Sequence, residues 1–155
     1  DLLQHLEENF DPTPKFILSL PAEKLFYRYA PGKWTIKEIL VHIIDDERIY
    51  AYRAMCFARN EKKELPGFEQ DDYIQYSNAN EWSIENIFRE YEAVRQSTIT
   101  LLNGLDDTAL PREGTANGNK ATVQALAYHI AGHELHHINV IRKLYTSTSW
   151  FKDSL

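Results

Sequence analysis

Apolar residues recur at helical spacing in three long stretches of the chain, and each stretch opens on a start signal. The first runs from Ile36 to about Arg59, with Ile36, Ile39, Leu40, Ile43, Ala51, Ala54 and Phe57 on one face. Thr35 and Glu38 form a capping box ahead of it, each side chain placed to answer a free backbone N–H. The second begins at Ser83 and carries Ile84, Ile87, Phe88, Tyr91, Val94, Ile99, Leu101 and Leu102 before Asn103-Gly104, a pair read as a left-handed helix stop. The third begins at Thr122 and carries Val123, Leu126, Ala127, Ile130, Ile141 and Leu144 through Tyr145. A fourth stretch covers residues 2–10, is interrupted at Asp11-Pro12-Thr13-Pro14, and resumes from Lys15 to Leu20.

The segments between are short or polar. Pro21–Leu25, Asp71–Tyr76 and Asp106–Leu110 read as single turns of helix. Residues 29–33, 60–70 and 112–120 read as loops, from Pro31-Gly32, Pro66-Gly67 and the Gly and Asn of the last. Residues 146–155 read as an irregular tail. No strand pattern competes. The expectation is an all-α fold, a four-helix bundle in one domain over 1–155, with two connections long enough to cross over.

Composition narrows the function classes. The 155 residues are 43% hydrophobic and 26% charged with a net charge of −6, ordinary for a soluble domain and short of the basic surface that binds nucleic acid. No apolar run reaches the roughly 18–20 residues of a membrane span, and no secretory leader is read. The single cysteine, Cys56, excludes an internal disulfide and is read as packing. Together these place the expected location in the cytoplasm, with no membrane or nucleic-acid partner.

The chemistry concentrates in the last helix. Four of the six histidines, His129, His133, His136 and His137, fall within nine residues. Residues four apart share a helix face, so His133 and His137 can hold one ion. His129 extends the same ladder, and spacing alone leaves a His129–His133 pair open. His42, at the flank of the 36–59 apolar stripe, is the best third ligand, since ligands from facing helices converge inside a bundle. His136 projects to the side, and His5 reads as surface. Glu47 and Glu134 fall on the apolar faces of their helices. A carboxylate so placed pairs with a cation, and an ion pair tying helices together is the preferred reading for Glu47. Asp46, Glu47, Arg53 and His136 are also candidates for groups that orient a ligand or a substrate.

His133-Glu134-Leu135-His136-His137 matches the H-E-x-x-H pattern of zinc proteases. The one acidic residue after it, Asp153, falls in the irregular tail, no His-x-x-Gly-x-x-His extension follows, and no sheet is expected to bind a peptide as a strand, so the protease reading is set aside.

Two separated segments, Pro31-Gly-Lys-Trp34-Thr-Ile-Lys-Glu38-Ile-Leu-Val-His42-Ile-Ile-Asp45-Asp-Glu47-Arg-Ile-Tyr-Ala-Tyr-Arg53 and Tyr128-His-Ile-Ala-Gly132-His133-Glu-Leu-His136-His137-Ile, resemble the DinB-like superfamily. The likeness runs from about Lys15 to Tyr145 and is strongest to its YfiT-like metal-dependent hydrolases. It implies an up-down-down-up bundle and a divalent metal on His42, His133 and His137, with water at the remaining positions and His129 outside the ligand set. Nickel and zinc lead, with iron and manganese behind. It further implies a homodimer and a small-molecule substrate, turned over by hydrolysis or by transfer of a low-molecular-weight thiol. The alternative is a non-catalytic bundle in which the same histidines hold a structural or vestigial metal and the surface binds a partner.

Overall fold

The capping box at Thr35 sets where the longest helix begins and which helix lies beside it. In the computed structural model, which describes residues 2–8 and 11–146, Thr35 Oγ1 accepts from Glu38 N at 3.1 Å and Glu38 Oε2 accepts from Thr35 N at 2.7 Å. The same two side chains bind Asn80: the Thr35 hydroxyl donates to Asn80 Oδ1, and Asn80 Nδ2 donates to Glu38. Asn80 lies just ahead of Ser83, whose hydroxyl caps the next long helix by accepting from Asn86 N at 3.1 Å. The two helices therefore start side by side and run parallel.

The elements are α1 (Leu2–Glu8), α2 (Pro12–Leu18), a 3-10 turn (Ala22–Phe26), α3 (Ile36–Ala58), α4 (Gln70–Gln75), α5 (Ile84–Asn103), β1 (Glu113–Ala116), β2 (Asn119–Thr122) and α6 (Val123–Val140), which runs on into a wide turn over Ile141–Tyr145. α1 and α2 form one broken bundle helix. Leu6 shares a core cluster with Ala127 and Ile130, and Ile17 one with Ile138 and Ile141, so this helix runs parallel to α6. It runs opposite to α5, since Leu6 shares its cluster with Ile99 and Leu102 while Ile17 shares its own with Ile87. The result is a four-helix bundle in up-down-down-up order. Ile17, Ile36, Ile39, Leu40, Ile43, Ile87, Tyr91 and Ile138 fill one end, and Ala54, Phe57, Leu65, Val123 and Leu126 the other. Among the described residues no helix is long and apolar enough to cross a membrane.

A buried ionic cluster sits between these layers. Arg95 on α5 has no exposed surface. Its Nε and Nη2 donate to the Glu47 carboxylate of α3 at 3.0 and 2.9 Å, Nη2 donates to Glu134 of α6 at 2.6 Å, and Nη1 donates to the Leu6 carbonyl of α1. Thr13 of α2 and Tyr91 of α5 complete Glu134, each hydroxyl donating at 2.7 Å. Every bundle helix contributes. Burial opposes the charge on Arg95, but the hydrogen bonds and charges of Glu47 and Glu134 outweigh it and hold the guanidinium pKa above its ordinary value. The cation that answers Glu47 is thus Arg95, from the neighbouring helix.

Three local readings need correction. Residues 112–120 are not a plain loop: β1 and β2 pair antiparallel with Glu113 opposite Thr122 and Ala116 opposite Asn119. Asn117 and Gly118, at φ 51° and 73°, supply the two left-handed residues that a two-residue hairpin turn needs. Leu65 adds a rung to β1, through Leu65 N to Thr115 O and Asn117 N to Leu65 O. Gly114 lets the hairpin lie on α3, because a Cβ there would stand 2.1 Å from the Phe57 ring. Gly104 ends α5 in the right-handed region (φ −83°), its N–H shared between the Thr100 and Leu101 carbonyls at 3.2 Å, so no left-handed residue stops this helix. Asp106–Leu110 is a turn held by the Asp106 side chain and not a helical segment. The expected tail lies, apart from Thr146, outside the described residues, as does the side chain of His5.

Candidate metal centre

α3 and α6 run antiparallel in contact, so a step of one turn along α3 meets a step of one turn back along α6. His42, Asp46 and Tyr50 on α3 thereby face His137, His133 and His129 on α6. At the upper rungs three imidazoles converge. His42 Nε2 lies 3.0 Å from His133 Nε2, and His137 Nε2 lies 3.1 Å from the same atom. The three rings meet edge to face, with centroids 4.5–4.9 Å apart.

Burial is the main cause of the electrostatics here. It lowers His42 from the usual imidazole value to about 4, helped by the charges of His137 and His129. It lowers His133 to about 3, although Asp46 pulls the other way, and His137 to about 4, with His136 adding to the shift. All three rings are neutral at pH 7. The donor set fits a divalent ion. Nitrogen atoms about 2.0–2.1 Å from a shared ion stand roughly 3 Å from one another, and neutral imidazole is the form that ligates. Without an ion, three ring nitrogens crowd a single point.

Below these rungs, Asp46 Oδ2 lies 3.2 Å from His133 Nδ1 and 2.9 Å from His129 Nε2. The Asp46 charge beside Nδ1 favours the tautomer that carries its N–H there and leaves the Nε2 lone pair for the ion, as the neighbours of metal-bound histidines do. His129 in turn stacks on Tyr50, ring centroids 3.6 Å apart and 10° from parallel. The Trp34 ring covers His42 at 4.8 Å.

His137 reaches a cavity of about 410 Å³, walled by Tyr29, Trp34, Tyr145 and His136, with Lys33 and Asp71 on its lining. His136 is exposed there, its ring 5.2 Å from that of His137. Arg53 is elsewhere, against Pro66, Tyr50 and Phe68. Glu47 and Glu134 turn inward to Arg95. With both of its oxygens occupied in the core, Glu134 is not the base that an H-E-x-x-H protease requires. Tyr50 was missed by sequence reasoning, though it stands one turn beyond Asp46 on the face that bears His42.

The depressed imidazoles imply a pH signature. Their folded pKa values lie below the unfolded value near 6.5, so the folded state takes up fewer protons than the unfolded one between about 4 and 6.5. Stability of the metal-free protein is full above pH 6.5 and declines as pH falls toward 4. Urea denaturation at pH 7.0, 6.0 and 5.0 will show a falling midpoint, and His42→Asn will flatten the slope. A parent profile flat across that window contradicts the burial argument.

A family model described as the DinB superfamily matches residues 5–141, and the chain belongs to that superfamily. It is 23% identical over 141 residues to a protein of Oceanobacillus iheyensis named "Putative metal-dependent hydrolase", across 90% of this chain and 81% of the relative. The fold is similar to that of Bacillus subtilis YfiT, described as a probable metal-dependent hydrolase with an unusual four-helix bundle topology. The TM-score is 0.74 at 16% identity, over 94% of this chain and 87% of that one. It is also similar to the DinB-like protein YjoA of Bacillus subtilis, with a TM-score of 0.63 at 16% identity over 95% and 93% of the two chains.

Proposed function

We propose that this member of the DinB superfamily is a metal-dependent enzyme that holds a divalent ion on His42, His133 and His137 and acts on a small molecule by hydrolysis or by transfer of a low-molecular-weight thiol. The observation that carries the reading is the convergence of three neutral imidazole Nε2 atoms, one of them from a side chain on the wall of a 410 Å³ cavity. All-imidazole donors suit nickel and zinc best, with iron and manganese behind. The ion would supply Lewis acidity, lowering the pKa of a water or a thiol brought to it.

The remaining work falls to the chain's own residues. Asp46 holds the His133 tautomer, and His129 holds Asp46. Trp34 shields His42 from solvent, which keeps that imidazole neutral. His136, an exposed imidazole on the cavity wall, is placed to take a proton from a bound substrate or return one. Lys33 and Asp71 offer opposite charges to polar substrate ends. We place the enzyme in the cytoplasm from its composition, and as a homodimer in keeping with the superfamily resemblance.

Two substrate panels test the reading on metal-reconstituted protein: esters, amides and phosphoesters for hydrolysis, and low-molecular-weight thiols paired with electrophiles for transfer. Turnover that requires the metal and disappears in His137→Ala is expected. A fully loaded protein inert across both panels would favour the structural-metal bundle over the enzyme.

A further inference from the structure

Arg53 is 6% exposed, and among the described residues no carboxylate pairs with its charge, unlike Arg48 and Arg95. Its guanidinium donates to the Pro66 carbonyl at 2.9 Å and lies over the rings of Tyr50, at 5.0 Å, and Phe68, at 5.9 Å. Those contacts hold it in place without neutralising it, and a buried ion without an opposite charge is a costly arrangement. Arg53 lines a second cavity of about 240 Å³, together with Ile49, Tyr52, Leu65, Phe68 and Tyr73. Arg48 also borders it, but its charge is taken up by Glu90 and by Asp45 at 3.9 Å. The cavity therefore presents one unanswered positive charge inside largely apolar and aromatic walls.

We propose that this cavity binds a small organic monoanion, a carboxylate on an aromatic or short apolar body, with Arg53 as its counter-charge. One guanidinium neutralises one carboxylate and matches it as a two-pronged donor, whereas a doubly charged phosphate would bring an excess negative charge into an apolar pocket. The Phe68 and Tyr73 rings offer flat surfaces for an aromatic body. The chain's net charge of −6 gives anions no general attraction, so saturable binding requires the local site. This site is separate from the cavity at His137, and the proposal does not rest on the metal reading. The two share one boundary: Phe68 and Tyr73 wall this cavity, while Gln70 and Asp71, between them in sequence, wall the other.

Titration calorimetry of metal-free protein with benzoate, and with benzamide as its neutral counterpart, tests the proposal. One equivalent of benzoate is expected to bind saturably. Benzamide should bind at least tenfold more weakly, as should benzoate to Arg53→Met, while His137→Ala should bind benzoate like the parent. If Arg53→Met fails to fold, the benzoate–benzamide contrast on the parent, with weakened benzoate binding by Phe68→Leu, decides the matter. No saturable binding at millimolar benzoate overturns the proposal, as does equal binding of the amide or undiminished binding by Arg53→Met. Loss of benzoate binding in His137→Ala would place the anion at the histidines and overturn it equally.

Discussion

Replacing Arg95 by methionine will destabilise the protein more than any other single substitution at a polar position. Glu47 and Glu134 are 2% and 1% exposed, and Arg95 supplies the only cationic contact that either makes among the described residues. Without it two carboxylates face each other inside the bundle, and breaking a buried ion pair costs about 3–5 kcal/mol. Against a typical total stability of roughly 5–15 kcal/mol, that is enough to leave a substantial unfolded fraction. For a chain of this size the melting temperature should fall by on the order of 10–15 °C. Thermal denaturation followed by circular dichroism measures it. The triple replacement Arg95→Met, Glu47→Leu, Glu134→Met removes all three charges together and should recover most of the loss, because packed apolar side chains often equal or surpass a buried ionic cluster. A melting temperature for Arg95→Met within 2 °C of the parent would mean that the carboxylates do not depend on it.

Metal affinity will fall by orders of magnitude in His133→Ala, and by a much smaller factor in Asp46→Asn. His133 is the central ligand of the proposed set: both other Nε2 atoms lie within 3.1 Å of its own, and its second ring nitrogen lies 3.2 Å from Asp46 Oδ2. Alanine removes a donor. Asparagine keeps the shape of Asp46 but weakens the acceptor, and partners of this kind typically contribute about 10–100-fold in metal affinity. Competition with a chromophoric chelator separates the two. If Asp46→Asn loses as much as His133→Ala, the carboxylate is itself a ligand, and the site is centred on Asp46, His129 and His133, whose donor atoms also lie within 4.8 Å of one another. If Asp46→Asn binds like the parent, the carboxylate does not orient His133.

The helices were legible because period and caps agree: Thr35, Ser83 and Thr122 each cap where the apolar spacing begins. The histidine ladder was legible for the same reason, a four-residue repeat being a geometric statement about one helix face. The pairing of rungs across helices was not, since it depends on the register of α3 against α6. Arg95 shows what periodicity held unread. It stands four residues after Tyr91 and four before Ile99, on the buried stripe of α5, yet it sits in the polar run Arg95-Gln96-Ser97-Thr98 and passes for surface. Its carboxylate partners come from helices 48 and 39 residues away, so no local pattern links them. The hairpin was missed because its strands, Glu-Gly-Thr-Ala and Asn-Lys-Ala-Thr, lack apolar alternation; only Asn117-Gly118 carried the turn signal.

His42, His133 and His137 are proposed to hold one divalent ion between α3 and α6. Elemental analysis of protein purified without a metal-affinity tag, alongside His42→Ala and His137→Ala, tests it most directly. About one equivalent of a transition metal in the parent, lost in both folded variants, is the predicted result. A parent that contains no metal and takes up neither zinc nor nickel, or variants that retain the parent's metal, would contradict it.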